Sequence, residues 1–240
     1  MIRRSALFLA FFLVACTNPE ASQLPQPTVW KAILIAGDNS EPAFDNAVDA
    51  MAGKLAGYGL GLQDIVVLKA SATGAQTADV TSIAKAFATL GPTDSEGCFV
   101  FITSHGGEGR GLVMKAAQSF LTPADLDGLL SKPCARKPTV VIASGCFSGI
   151  FADGKPMTAV NRTILTAARR DRTSFGCNAN RRFTVFDECL LDGLDRGLPW
   201  AAVMAKTEDC VTRYESEAKV YPPSEPQLFI GFSVERLSAF

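Results

Sequence analysis

The sequence predicts an α/β fold: a mainly parallel sheet of six strands with helices on both faces, in three layers. Three observations carry this. The strand-like segments are continuous apolar runs with no polar alternation, as expected of strands buried on both faces. They alternate along the chain with apolar residues at helical spacing. Hydrophobic residues make up 48% of the 240-residue chain and charged residues 20%, a globular composition of a length that fits one domain. No internal repeat is apparent, which excludes solenoids and propellers.

The elements follow in order. Val29 to Ala36 is an apolar run closed by Gly37-Asp38, and reads as the first strand. Phe44, Val48, Met51 and Leu55 form a helical stripe, and Ile65 to Leu68 is the second strand. Val80, Ile83, Ala84 and Phe87 make the next helix, followed by a third strand from Cys98 to Thr103. Gly111 to Met114 reads as a short strand in the excursion after it, and Gly106 to Gln118, with four glycines in its first six positions, as a flap. Thr122-Pro123-Ala124-Asp125 is a helix start with a capping threonine and proline in the first turn. Leu126, Leu129 and Leu130 continue that helix. Thr139 to Ala143 and Thr163 to Ala167 are the fourth and fifth strands. Helices over Asp187 to Leu194 and Pro199 to Tyr214 precede a sixth strand, Leu228 to Phe232.

The amino terminus reads as an address label. Arg3 and Arg4 precede an apolar run from Ala6 to Ala15, too short for a spanning helix of roughly 20 residues. Leu13-Val14-Ala15-Cys16 resembles the bacterial lipobox, in which the cysteine is acylated and becomes the first residue. The competing reading is an ordinary secretory signal with a chance cysteine. Lipid on Cys16 would anchor the protein to a membrane with no spanning segment. Thr17, in place of aspartate, points to the outer membrane, facing the periplasm. The expected domains are therefore a signal peptide over 1–15, a tether over 16–28, extended and unpacked, and one folded domain over 29–240.

Charge and residue counts exclude several functions. Lys+Arg is 23 and Asp+Glu is 24, for a net charge of −1, so no cationic surplus supports nucleic-acid binding. A single histidine excludes a multi-histidine zinc site. No phosphate loop or dinucleotide fingerprint is present.

In a parallel α/β sheet ligands gather beyond the carboxyl ends of the strands. After the third strand stands Thr103-Ser104-His105-Gly106-Gly107, and after the fourth Ser144-Gly145-Cys146-Phe147-Ser148-Gly149. The one histidine and an elbow cysteine thus share an edge. Imidazole can take the thiol proton. The backbone amides of Gly106 and Cys146 are candidates to hold the oxyanion of acyl transfer. The competing readings are a loop histidine without a role and a Cys146 tied into a disulfide. The G-x-S-x-G elbow of α/β-hydrolases is rejected, because Ser148 stands out of register and His105 precedes the nucleophile.

These residues resemble the legumain-like cysteine peptidases, which share the caspase-like fold. Ser104-His105-Gly106 and Ser144 to Gly149 carry the resemblance, with Ala36-Gly37-Asp38-Asn39 and the block Thr166 to Phe175. It spans about Lys31 to Phe232. It implies a catalytic His105 and Cys146, an oxyanion donor at Gly106, and a protein or peptide substrate, with no metal or organic cofactor. It places the substrate pocket at Asp45, Thr173, Ser174 and Asp187. Legumains prefer asparagine through a basic and an acidic pocket residue. Here Asp187 matches the acidic one, Asp45 replaces the basic one, and Phe147 stands where an acidic residue follows the nucleophile. Two carboxylates would favour Arg or Lys at the cleaved position, unless Asp45 merely serves its helix start. The alternatives of function are a transamidase or ligase on the same fold, and an inactive envelope lipoprotein that binds peptide.

The chain has 7 cysteines, and export favours disulfides. Cys98 and Cys134 lie at the starts of the third and fourth strands, and Cys189 and Cys210 on neighbouring helices; these are the expected pairs, although spacing alone does not fix connectivity. Cys177 would then be free. Arg169, Arg170, Arg172, Arg181 and Arg182 read as a solvated loop face.

Overall fold

The computed structural model describes residues 22–176 and 180–240; Cys16, the signal segment and Cys177 lie outside them. Among the described residues the strands are β1 (Val29–Ala36), β2 (Ile65–Lys69), β3 (Glu96–Thr103), β4 (Gly106–Gly107), β5 (Gly111–Met114), β6 (Ser119–Leu121), β7 (Thr139–Ser144), β8 (Arg162–Thr166) and β9 (Gln227–Ile230). The α-helices described are α1 (Pro42–Gly57), α2 (Val80–Thr89), α3 (Pro123–Leu130), α4 (Val185–Gly193) and α5 (Trp200–Ala218).

Six strands form one sheet in the order β2-β1-β3-β7-β8-β9. All neighbours are parallel except β9, which pairs antiparallel with β8. The period-2 alternation of each central strand feeds two cores. Leu34, Phe101 and Ile142 face α1, α4 and α5 together with Phe44, Leu190 and Val203. Ile35, Val100 and Val141 face α2 and α3 together with Phe87 and Leu126. Burying each large side chain stabilises the fold by about 1.5–3 kcal/mol, and double-sided burial is why these strands read as unbroken apolar runs.

Local signals set the helix starts. Asp79 caps α2 by accepting from the Ser82 amide. Thr122 and Asp125 form a reciprocal capping box at α3 with Pro123 in its first turn. Thr184 caps α4 through the Asp187 amide. Helix α5 runs a turn beyond Tyr214 and stops at Lys219, whose φ of 54° breaks the helical path.

Three expectations are corrected. The flap after β3 is a three-stranded antiparallel sheet in the order β4-β5-β6; β4 and β6 are too short to leave a periodic signal. The last strand ends at Ile230: Gly231 lies against the carbonyls of Ala159 and Val160, and a 3-10 turn over Phe232–Val234 follows. The stretch expected as an unpacked tether is docked over its second half. Leu24 donates to the Ser233 carbonyl and Thr28 to Ser95, Gln26 exchanges two hydrogen bonds with Ser238, and Leu24 packs on the core.

Cys98 is bonded to Cys134 (Cα–Cα 6.2 Å) and Cys189 to Cys210 (5.6 Å). The first joins the start of β3 to the segment after α3; the second joins α4 to α5. Cys146 is the one free cysteine among the described residues. Replacing Cys98 and Cys134 together by serine opens a link across 36 residues of chain, and is expected to lower the unfolding free energy by about 3–4 kcal/mol in a urea titration.

Candidate active site

Strand pairing assembles the site. Strands β3 and β7 pair in parallel with Cys98 opposite Thr139 and Thr103 opposite Ser144. His105 and Cys146 each follow the last pair by two residues. The Ser104 amide donates to the Ser144 carbonyl (3.0 Å), extending the ladder one step beyond the sheet. The only histidine and the only free described cysteine are therefore delivered by adjacent strand ends.

Glycine permits the approach. A Cβ on Gly106 would stand 1.8 Å from the Cys146 carbonyl oxygen and 3.1 Å from its amide nitrogen. A Cβ on Gly145 would meet the Ser104 carbonyl at 2.6 Å. Any side chain at either position would force the two loops apart. The backbones that carry the two candidate oxyanion amides are in contact for this reason.

The turn at Cys146 is held from the other side. Phe147 adopts φ 59°, ψ 12°, a left-handed conformation that costs a non-glycine residue of order 1 kcal/mol or more. Its amide donates to the Arg172 carbonyl (2.7 Å). The Ser148 hydroxyl accepts from the amides of Ala167 and Ala168. A Cβ on Gly149 would meet the Arg170 amide nitrogen at 2.4 Å. These contacts bring the segment after β8 alongside Cys146, whose thiol donates to the Ser174 carbonyl at 3.6 Å. Burial pushes the Cys146 thiol above its ordinary pKa, opposed in part by backbone groups of Ser174 and of Cys146 itself.

His105 is half-buried and meets the edge of the Phe44 ring, with centroids 5.1 Å apart. Its carbonyl accepts from the Val113 amide (2.8 Å), so the small sheet fixes the histidine loop from outside. Asp38, at the end of β1, is a site residue that sequence reasoning quoted and assigned no role. It is buried and accepts from the Ser40 amide, with Lys115 at 3.5 Å. Burial raises its pKa, but the Ser40 hydrogen bonds together with the nearby Lys115 and His105 outweigh it, and the net effect holds the carboxyl below its usual range. A carboxylate closing a strand at the same edge was the available signal.

The expected pocket residues separate. Ser174 lies against Cys146, and Thr173 is its exposed neighbour. Asp45 sits in the first turn of α1, next to Phe44. One of its oxygens accepts from the Ser71 hydroxyl (2.5 Å) and the other is buried without a partner. Asp187 departs from expectation. It is 0% exposed, so it presents no surface to a substrate and lies beneath the strand ends. Helical spacing in α4 turns it inward with Leu190, toward the sheet. The arginine cluster is likewise mostly paired. Arg169 and Arg172 bridge Asp171 and Glu225, Arg170 pairs with Asp153, and Arg181 pairs with Glu188 above the Tyr214 ring. A cleft of about 390 Å³ between Gly149, Asp153, Arg170 and Leu228 lies among these pairs.

Residues 73–194 match the Peptidase C13 family, the legumain family. The chain belongs to that family. As a C13 protein it carries both His105 and Cys146 inside the matched segment. The crystal structure of caspase-1 from Spodoptera frugiperda superposes with a TM-score of 0.58 at 12% identity, covering 95% of this chain and 99% of that one; the fold is caspase-like. No curated protein matches the sequence. Family and fold together support a cysteine peptidase.

Two outcomes are expected. Gly106→Ala, which drives a methyl group into the Cys146 carbonyl, abolishes peptidase activity, measured against wild type on any cleaved peptide. The raised thiol pKa means that thiolate, and with it alkylation of Cys146 by iodoacetamide, keeps increasing with pH through about 9, where an ordinary thiol near 8.5 has begun to level off. Peptide mapping of the alkylated protein measures this; a plateau near neutral pH would show a preformed thiolate.

Proposed function

We propose that this C13 protein is a cysteine endopeptidase that works through His105 and Cys146. The observation that carries the reading is the register of β3 against β7, which sets Ser104–Gly106 in contact with Gly145–Cys146. In the proposed reaction the Cys146 sulfur attacks the scissile carbonyl carbon and its proton passes to His105. The amides of Gly106 and Cys146 receive the negative charge on oxygen. The tetrahedral adduct collapses with loss of the amine, which takes the proton from His105. Water then attacks the thioester, giving its proton to His105, and the acid product leaves as the thiol is restored. Without substrate the thiol is turned to the Ser174 carbonyl, in a setting whose burial raises its pKa.

The residue accepted at the cleaved position is proposed to be Arg or Lys. Of the two carboxylates first considered, Asp45 alone keeps partial solvent exposure, although its unpartnered oxygen is enclosed and the other is held by Ser71. A partly exposed carboxylate suits a cationic guest once its side chain turns outward. Cys16, outside the described residues, is proposed to carry lipid that holds the enzyme at the outer membrane. Among the described residues no helix is long and apolar enough to cross a membrane.

A panel of fluorogenic peptides differing at the cleaved position tests the reading. Cleavage is expected after Arg and Lys, lost in Cys146→Ala and in His105→Ala, with the Arg preference reduced in Asp45→Asn. Cleavage that persists in Cys146→Ala defeats the mechanism; a preference for Asn over Arg defeats only the specificity.

A further inference from the structure

We propose that Asp187 is a positioning residue: its buried carboxyl group, carried on the first turn of α4, ties the ends of β3 and β7 together and so sets His105 against Cys146. This rests on the Cys–His reading above.

The Thr103 hydroxyl donates to Asp187 Oδ2 at 2.6 Å. The hydroxyls of Ser144 and Thr184 also act on the carboxyl, though Oδ1 keeps no full hydrogen bond. Thr103 and Ser144 are opposite one another in the last register pair of β3 and β7. Both follow the alternation that turns Phe101 and Ile142 toward α4. One carboxyl thus faces two neighbouring strand ends, each two residues ahead of a reacting side chain.

The location is costly for a group with a packing role alone. A carboxyl removed from water loses several kcal/mol of hydration, and Asp187 is in none of the described ion pairs. The first cause acting on its ionisation is burial, which raises its pKa; the three hydroxyls act against it. Its backbone is anchored independently. The Asp187 amide bonds to the Thr184 cap (3.1 Å), Cys189 ties the same helix to α5, and Arg181 clamps Glu188. Helix α4 is therefore a fixed post from which a single side chain holds two strand ends. A wall of the substrate pocket would need exposed surface, and Asp187 has none.

The two roles differ in kinetics. Asp187→Asn keeps the shape and exchanges a carboxyl oxygen for an amide nitrogen, and Thr103→Val removes the donor while leaving the carboxyl. Each is expected to lower kcat by on the order of 10–100-fold, the scale of a displacement near 1 Å between reacting groups. KM should stay within about twofold, and the ratio of Arg to Asn cleavage should not change. Thr103→Ser, which keeps a hydroxyl, should recover most of the loss, and answers the question even if Asp187→Asn does not fold. Because His105 is the only histidine, its Cε1 proton is a single resonance, expected to shift in both Asp187→Asn and Thr103→Val. An altered Arg to Asn ratio with kcat retained would make Asp187 a pocket residue and overturn the proposal, as would unchanged kcat and resonance in both variants. Activity surviving in His105→Ala and Cys146→Ala would instead overturn the Cys–His reading, and this proposal with it.

Discussion

The pairing of β3 with β7 is the constraint on which the site depends. Parallel strands have a side-chain period of two, so a slip of one residue would carry Thr103 and Phe101 to the opposite face. Both faces of this sheet are buried by different helices, and the two cores are lined by different residues. The register is therefore enforced along the whole length of both strands, from Cys98 opposite Thr139 to Thr103 opposite Ser144. The disulfide from Cys98 to Cys134 adds a covalent restraint at the far end of the same strand. Chemistry at one edge of the sheet inherits its precision from packing several residues away.

Beyond the last register pair the chain no longer has a ladder to guide it, and the site is built from close backbone contacts. Gly106 and Gly145 allow two loops to touch at distances no side chain permits. Phe147 accepts a left-handed backbone, and the cost is offset by its amide's hydrogen bond to the Arg172 carbonyl and by those the neighbouring Ser148 hydroxyl accepts from Ala167 and Ala168. Gly37 plays the same part on the histidine side, where a Cβ would meet the Val113 carbonyl at 2.3 Å. The small sheet β4-β5-β6 packs there and holds the His105 carbonyl. Each loop is thus fixed by the segment that follows a different strand, which couples the site to the sheet as a whole.

The helical layer adds a second set of restraints from beneath. Helices α1 and α4 lie on the face to which Thr103 and Ser144 turn. Phe44 of α1 lies edge-to-face with the imidazole, and Asp187 of α4 meets the strand-end hydroxyls. Asn46 of α1 also donates to the Arg182 carbonyl, linking the same helix to the segment that leads into α4. The ion pairs around Arg169, Arg170 and Arg172 lie along the stretch that flanks Cys146. They are largely exposed, and pairs of that kind contribute little to stability. Their role is in shape.

Much of this was legible without coordinates. Unbroken apolar runs specify strands buried on both faces, and Thr122-Pro123 with Asp125 marks a helix start through local hydrogen bonding alone. The Ser104-His105-Gly106 and Gly145-Cys146 elements marked the edge of the candidate site, since glycine beside each residue serves close approach. Other features left no local trace. Strands of two or three residues carry no period, so β4 and β6 were invisible. Residues 22–28 look like a linker, and only contacts to Ser95, Ser233 and Ser238, remote in the chain, show them docked. Whether Asp45 and Asp187 share a pocket depended on which side of α4 meets the sheet. The sequence by itself determined the element types, the strand ends that bear histidine and cysteine, and the cysteines able to pair, because these follow from periodicity and residue chemistry. Only the tertiary structure decided which carboxylate is buried and which faces solvent, because burial is set by the packing of elements far apart in the chain.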